Sequence, residues 1–211
     1  MNKLLKILSS VMFACVVSTG AMSEIKAGLS LATAGYYGEG TEVNGGNDAT
    51  TQGDGAFLHD HMELFVEYDL GPVAFGLSYT PNEIDTPENT NKQTARNNKV
   101  YATFTDKTTA YIMAQHEGTG LYAKLGATYV DIESKESTGS NYPDTDTVGV
   151  TVGLGWQLNT ADDVFWRIEL QGTAYDDVTV NNGKPKATGG NSVTFSDMMG
   201  AQATLSIGRS F

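Results

Sequence analysis

The feature that most constrains this chain is a strict two-residue alternation of apolar and polar side chains from Val148 to Tyr175. The segment reads VGVTVGLGWQL, then a short NTADD break, then VFWRIELQGTAY. Successive side chains of a β-strand point to opposite faces, whereas a helical face repeats every 3.6 residues. The pattern therefore predicts two antiparallel strands. A soluble sheet with one wet face fits it, and so does a membrane barrel with lipid outside and a polar lumen.

The N-terminal residues predict export. Two lysines precede the apolar run Ile7–Val17, and the small residues Ala21–Ser23 follow it at the spacing that signal peptidase reads. This is the pattern of a secretory signal peptide, too short for a transmembrane helix. We predict cleavage after Ser23, or alternatively after Ala21, which leaves residues 24–211 as a single barrel domain. The one cysteine lies inside the signal, so the mature chain has no cysteine for a disulfide. The mature chain must therefore be held together by its own sheet and core, or by lipid.

Composition excludes two classes of protein. No apolar run approaches the ~20 residues that a membrane-spanning helix needs, so a helical membrane protein is excluded. Two of the 13 Lys and Arg lie in the signal and all 25 Asp and Glu lie outside it, so the mature chain carries a net charge of −14. Such acidity argues against a nucleic-acid partner, which requires a basic face.

Along the whole mature chain the alternation predicts eight strands. They are Ile25–Tyr37, His61–Asp69, Val73–Thr80, Lys99–His116, Leu121–Val130, Val148–Leu158, Val164–Tyr175 and Val193–Phe211. Long polar loops follow the first, third, fifth and seventh strands, at Gly38–Leu58, Pro81–Asn98, Glu133–Thr147 and Asp176–Ser192, and short turns follow the others. The pattern predicts an all-β, transmembrane, antiparallel up-and-down barrel with four long outward loops and three short periplasmic turns.

One segment leaves an alternative open. In Lys99–His116 the apolar residues Val100, Ala102 and Phe104 share a parity with Ala110, but Asp106 and Thr108 interrupt it. We interpret the segment as one long strand. A hairpin at Thr105–Thr108 is the alternative, and it would leave the two chain ends on opposite sides of the barrel.

Aromatic residues on the apolar parity separate the two kinds of sheet. Near the short turns lie Tyr68, Trp156 and Trp166, and near the long loops lie Tyr37, Tyr79 and Tyr129. Amphipathic rings favour the headgroup level of a bilayer, so two aromatic belts bounding an apolar band are typical of a membrane barrel. A soluble sheet has no reason to sort aromatic residues by strand end, and the belts therefore favour the membrane.

Three stretches carry a family resemblance: LSIGRSF at the C-terminal end, GLYAKLGATYVD at Gly120–Asp131 and RIELQGTAYDDV at Arg167–Val178. They resemble strands of the OmpA/OmpX-like eight-stranded bacterial outer-membrane β-barrels. The resemblance implies location in the bacterial outer membrane and a closing strand that the barrel-assembly machinery reads. The residues at those positions here are Leu205, Ile207, Gly208 and Phe211. A shared fold does not name an activity.

Charged and amide residues occupy the inward parity. The charged residues are Lys26, Glu63, Glu67, Lys124, Arg167 and Glu169, and the amides are Gln157, Gln171 and Gln202. An eight-stranded barrel is just wide enough inside for side chains to fill it. Buried charges need partners, so we favour a salt-bridged plug over the alternative, a gated narrow pore.

Other polar clusters predict no catalytic, cofactor or metal site. His59-Asp60-His61 stands at a predicted loop–strand junction, where solvation is the expected state, and His116 lies at the opposite end of the barrel. Asn44–Asp48 and Asp144–Asp146 resemble calcium-binding turns in composition, but each is a single copy, unlike a calcium solenoid. We expect flexible polar loops at both places, and weak binding of divalent cations beside anionic lipid headgroups is the alternative.

These patterns together predict a non-enzymatic outer-membrane barrel that supports membrane integrity and makes surface contacts through its loops. A narrow porin-like channel for small solutes or ions is the alternative, and a lipid-modifying barrel enzyme ranks third. The expected partners are outer-membrane lipid, the barrel-assembly machinery and an extracellular ligand or surface that the loops contact. We expect a monomer, with no cofactor and no nucleic acid.

Overall fold

A computed structural model describes residues 23–45, 49–87, 89–93, 96–116, 118–136, 142–160, 162–185 and 188–211. All but the last residue of the predicted signal peptide lies outside these ranges. Within them, no helix is long and apolar enough to cross a membrane.

The described chain is built from β-strands. They are β1 (Glu24–Asn44), β2 (Ala49–Asp69), β3 (Val73–Tyr79), β4 (Ile84–Asp85), β5 (Asn89–Gln93), β6 (Arg96–Gln115), β7 (Leu121–Glu136), β8 (Thr145–Asn159), β9 (Val164–Tyr175), β10 (Val178–Asn181) and β11 (Asn191–Ser210). Eight of them form a ring in the order β1-β2-β3-β6-β7-β8-β9-β11, and β11 pairs back onto β1. Every pairing is antiparallel, so the predicted eight-stranded up-and-down barrel is confirmed.

The start of β1 and the last residue, Phe211, meet where the ring closes. The amide of Ile25 donates to the carbonyl of Phe211 at 3.3 Å, and the amide of Phe211 donates back to Ile25 at 2.8 Å. This end of the barrel also carries the three short turns, after β2, β6 and β8. Gly120 in the second turn has φ +74°, and a Cβ there would lie 2.2 Å from the carbonyl oxygen of Gln157, so only glycine fits.

The alternation of the sequence becomes the two faces of the wall. Outward side chains are apolar and exposed; Leu154, for example, is 69% exposed. Inward side chains are polar and enclosed; Thr151, three residues earlier on β8, is 0% exposed. An apolar outside and a polar inside invert the arrangement of a soluble protein, and they are what a lipid environment requires of a barrel.

The predicted long loops are wrong in extent. Gly38–Leu58 is largely a hairpin, because β1 and β2 stay paired from Gly38↔Gly55 up to Asn44↔Ala49. The other three regions shorten likewise: Pro81–Asn98 contains β4 and β5, Glu133–Thr147 loses residues to β7 and β8, and Asp176–Ser192 contains β10. Their Gly, Asn and Thr content predicted loops, but above the membrane both faces of a hairpin meet water, so polar residues can pair there without an apolar face.

The segment Lys99–His116 is one strand, as preferred, but its predicted parity is wrong. A bulge lies between Thr105 and Thr108, where Asp106 has φ 52°. Partners across an antiparallel ladder share a face, and Phe104 pairs with Ile132 on the inward parity of β7, whereas Ala110 pairs with outward Ala127. One extra residue reverses the faces, so Ala102 and Phe104 lie on the opposite face from Ala110.

Candidate functional site: the polar lumen

The interior of the barrel holds a balanced set of buried charges. The cations are Lys26, Lys107, Lys124 and Arg167, and the carboxylates are Glu63, Glu67, Asp69 and Glu169. Each cation forms an ion pair with one of these carboxylates. Buried charges are costly without partners, so one-to-one pairing is the arrangement that a narrow lumen can tolerate. All six charged residues predicted for the lumen lie here.

One ion pair joins opposite strands of the ring. Arg167 on β9 donates two hydrogen bonds of 2.6 Å to the two carboxylate oxygens of Glu67 on β2. Its Nε donates to Gln157 at 2.7 Å, and the hydroxyl of Tyr111 donates to Glu67 at 2.7 Å. The guanidinium group lies 4.7 Å from the ring centroid of Phe165, close enough for a cation–π interaction. Two-pronged pairing with aromatic contact fixes the geometry of both side chains.

Two further pairs flank this contact. Lys26 binds Asp69, and Lys124 binds Glu169, which also accepts a hydrogen bond of 2.9 Å from Tyr122. We call the three ion pairs nearest the short turns the Arg167 layer. Its members are Lys26, Asp69, Glu67, Arg167, Lys124 and Glu169.

A row of threonine hydroxyls crosses four adjacent strands beyond this layer. Thr109, Thr128, Thr151 and Thr173 connect in sequence, with oxygen–oxygen distances of 2.8, 2.6 and 2.8 Å. Each hydroxyl can donate one hydrogen bond and accept others, so three of the four hydroxyl protons can bind a neighbour within the row. The row lines one side of the lumen.

A second cluster lies on the side of the outward hairpins. Lys107 donates to Glu63 at 3.0 Å and to Gln202 at 2.9 Å, and Gln202 donates to the same Glu63 oxygen at 3.2 Å. The side chain of His61 is fully buried, with its Nε2 3.3 Å from that oxygen and 3.4 Å from the Lys107 Nζ. The name Lys107 layer is used for these four residues, His61, Glu63, Lys107 and Gln202.

The expected solvation of His61 is wrong, and Lys107 was missing from the predicted lumen set. Pairing of β2 with β1 continues past Asp60, so His61 keeps the inward parity of Glu63. That shared parity was readable in the sequence. Lys107 sits within the β6 bulge, where alternation does not define a face, so only its charge in an apolar strand could have drawn attention to it.

The Lys107 layer is less completely bonded than the Arg167 layer. A cavity of about 10 Å³ adjoins it, lined in part by Tyr36, Lys107, Gln202 and Tyr175. Within the described part of the chain, the Tyr36 hydroxyl and the His61 Nδ1 are buried without a hydrogen-bond partner. A cavity of that volume has room for about one water molecule.

The predicted belt residues lie on the outer surface. Trp156 and Trp166 are each 43% exposed, and the Trp156 indole donates to the Thr119 carbonyl oxygen at 2.7 Å. Tyr68 pairs across the sheet with Ile25 and Phe75. At the other rim each tyrosine hydroxyl donates to a carboxylate, Tyr37 to Glu39 at 2.9 Å, Tyr79 to Asp106 at 2.8 Å and Tyr129 to Asp131 at 2.5 Å.

The residues of the predicted assembly signal divide between the two faces. Leu205, Ile207 and Phe211 are exposed on the outer side. Gly208 faces inward, and a Cβ there would lie 2.3 Å from the Phe165 ring. Packing against Phe165 is therefore a physical reason for glycine at this position.

The outward hairpins present an acidic surface. From residue 27 to residue 91 the sequence contains no Lys or Arg, while Glu39, Glu42, Asp54 and Asp60 are exposed. A cation appears above the rim on β7, where Lys135 donates to Glu133 at 2.5 Å, a contact that raises the pKa of Lys135.

No metal site is found among the residues that the structure describes. Part of the calcium-like segment Asn44–Asp48 lies outside them. His116 lies in the turn after β6, where its amide donates to the Leu121 carbonyl oxygen at 2.8 Å, far from His61 in the fold.

Comparison with known proteins places this architecture among exported barrels. The model of the outer membrane protein beta-barrel domain family matches residues 7–211. The crystal structure of OprG from Pseudomonas aeruginosa is similar over 88% of this chain and 97% of that one, with 14% identity and a TM-score of 0.62. The crystal structure of Ail from Yersinia pestis, in complex with a heparin analogue, is similar over 87% of this chain and 99% of that one, with 13% identity and a TM-score of 0.42. No curated protein matches the chain.

Proposed function

This chain belongs to the outer membrane protein beta-barrel domain family and resides in the bacterial outer membrane, and from that premise we propose a non-enzymatic role. The barrel stabilises the membrane that surrounds it, and its outward hairpins make contacts at the cell surface. Residues 1–23 act as the signal peptide, and the mature protein works as a monomer. The barrel-assembly machinery reads strand β11.

The observation that carries this proposal is the content of the lumen. Four ion pairs, together with the threonine row, fill the bore with side chains that bind one another. A conduit needs polar groups free to contact a passing solute, whereas in the described part of the chain the buried Lys, Arg, Asp and Glu side chains are already paired. The interior therefore works as a structural core, and contact with other molecules falls to the outside.

The outward hairpins supply the surface for that contact. Strands β1 and β2 stay paired up to Asn44↔Ala49, so a stiff ribbon with exposed carboxylates rises above the barrel. Paired strands hold exposed groups in fixed positions, which favours specific contact over the flexible loops first expected.

An enzyme that acts on lipid receives less support. His61, the histidine that such a mechanism would require, is enclosed beside Glu63 and Lys107, and its side chain has no exposed surface. A lipid substrate on the outer face of the barrel cannot reach it without displacement of the wall.

A narrow channel is the second candidate, because the cavity beside Lys107 leaves unfilled polar space in the lumen. Planar-bilayer conductance of the refolded mature chain separates the two functions, with heat-modifiable gel mobility as the control for folding. We expect the folded barrel to be silent. Steady unitary steps from the folded band would refute the structural role and favour the channel.

A further inference from the structure

We propose that the Lys107 layer is a proton-operated latch: protonation of His61 releases Lys107 from Glu63 and loosens the outward end of the lumen. The Arg167 layer stays closed in both states. This inference adds a regulated conformational change to a barrel whose proposed role requires only a static plug.

The first support is a conflict at one atom. The Lys107 ammonium can only donate hydrogen bonds, and the Glu63 carboxylate can only accept them. His61 Nε2 lies 3.4 Å from the first and 3.3 Å from the second. A neutral ring nitrogen either donates or accepts, so Nε2 satisfies one of its two neighbours and never both.

Protonation resolves the conflict in favour of Glu63. A protonated imidazole donates from both nitrogens, so Nε2 then binds the Glu63 oxygen that Lys107 holds at 3.0 Å. It also sets a second positive charge 3.4 Å from the Lys107 Nζ. With a single carboxylate between them, the two cations compete for it, and the flexible lysine is the one that can leave.

The cavity provides a place for Lys107 to go. It has a volume of about 10 Å³, and Lys107 itself forms part of its lining. The Tyr36 hydroxyl in the same lining is buried without a partner among the described residues. An ammonium group is similar in size to the one water molecule such a cavity can hold, and the hydroxyl oxygen can accept its hydrogen bond.

The groups that face the latch support a histidine-specific response. Around it lie His59 on β2, with its ring centroid 6.3 Å from that of His61, Tyr36 on β1 and Tyr175 on β9. Gln202 on β11 is neutral at every pH. Lys107 and Glu63 complete this set of side chains. Imidazole is the only type of group in the set whose charge ordinarily changes between about pH 5 and pH 8. The Arg167 layer contains no histidine, so we expect its ion pairs to persist under the same acidification.

Nuclear magnetic resonance of the refolded mature chain in detergent micelles tests the latch. The ring nitrogens of His61 report its protonation, and the protection of the Lys107 ammonium protons from exchange reports its hydrogen bonds. Between about pH 8 and pH 5 we expect the ring to gain a proton and Lys107 protection to fall along the same curve. Amide signals around Glu67 and Arg167 should stay constant.

Two variants serve as the matched pair. We expect His61→Gln to abolish the pH response of Lys107, and His116→Gln, at the far end of the barrel, to leave it intact. A His61 ring that keeps one charge state over this range, a Lys107 curve that departs from the ring curve, or a response that persists in His61→Gln would overturn the proposal. The first two outcomes are measured on the unaltered protein, so they decide even if a variant does not fold.

The proposed plug has a separate outcome. Because the Arg167 layer stays closed, bilayer recordings should remain silent at acidic pH while the latch moves. Current that appears only on acidification would refute the silent plug, and it would also overturn the part of the proposal in which the Arg167 layer stays closed. Silent recordings without a His61 transition would refute the latch and leave the silent plug standing.

Discussion

The Arg167 layer and the Lys107 layer are both electrically neutral and both buried, yet they are bonded in different ways. In the first, Arg167 uses two nitrogens on two oxygens of Glu67, and Phe165 packs against the guanidinium. In the second, one oxygen of Glu63 serves Lys107, Gln202 and His61 together. Neutrality alone therefore does not fix a buried cluster; the number of independent directional bonds does.

The largest test of this difference removes one cation from each layer. Arg167→Met leaves Glu67 as an uncompensated buried charge, and we expect a loss of about 3–5 kcal/mol in the free energy of unfolding. Lys107→Met leaves Glu63 with donors from Gln202 and His61, so we expect a smaller loss of about 1–3 kcal/mol. Urea unfolding in lipid vesicles measures both. Equal losses would break the comparison.

A pair of glycines on β11 compares the packing of the two layers. A Cβ at Gly208 would meet the buried Phe165 ring at 2.3 Å, so we expect Gly208→Ala to cost about 1–3 kcal/mol. A Cβ at Gly200 would meet the Tyr36 ring at 3.1 Å, beside the cavity. There the ring can give way, and the backbone gain of about 0.4–1 kcal/mol for Gly→Ala offsets the contact. A costly Gly200→Ala would show that the Lys107 layer is as tightly packed as the Arg167 layer.

The threonine row lies between the Arg167 layer and the Lys107 layer. A substitution there tests a part of the lumen that belongs to neither layer. Thr151→Val keeps the shape but removes the hydroxyl that binds both Thr128 and Thr173. We expect a loss of about 1 kcal/mol in the same unfolding measurement. The control is Thr179→Val, whose hydroxyl pairs with Thr194 in an exposed hairpin; because water replaces that bond, no loss is expected there.

The smallest effect belongs to an ion pair outside the lumen. Because Glu133 raises the pKa of exposed Lys135, this pair stabilises the fold fully below the ordinary lysine pKa. The contribution disappears as the pH rises through the raised value, when Lys135 loses its charge. We expect Lys135→Ala to change unfolding at neutral pH too little to distinguish from the parent, and to remove the alkaline part of its pH dependence. A clear loss at neutral pH would mean that exposed pairs matter here as buried ones do.

Much of this architecture follows from the period of the sequence alone. Parity placed Lys124 and Glu169 on the inward face, and both are buried there. Parity cannot state that Arg167 selects Glu67, because that choice depends on the bore bringing β9 and β2 within reach across 100 residues of chain. Lys107 was not predicted to face the lumen, because a bulge interrupts the alternation that defines a face. The outward hairpins were predicted as loops because their Gly, Asn and Thr content is typical of loops. That composition hid the continuation of the strand pairing beyond the membrane.

The threonine row has one more consequence, which concerns direction. Each hydroxyl carries one proton, and the row can be bonded in one direction throughout: Thr109 donates to Thr128, Thr128 to Thr151 and Thr151 to Thr173, or all three bonds run the other way. In these two arrangements the hydroxyl dipoles align head to tail, and the row has two opposite polarisations. Thr173 and Tyr175 both line the cavity beside Lys107. A change in hydrogen bonding at Thr173 can therefore set the sense of a dipole chain that ends at Thr109, three strands away on β6, with no movement of the backbone.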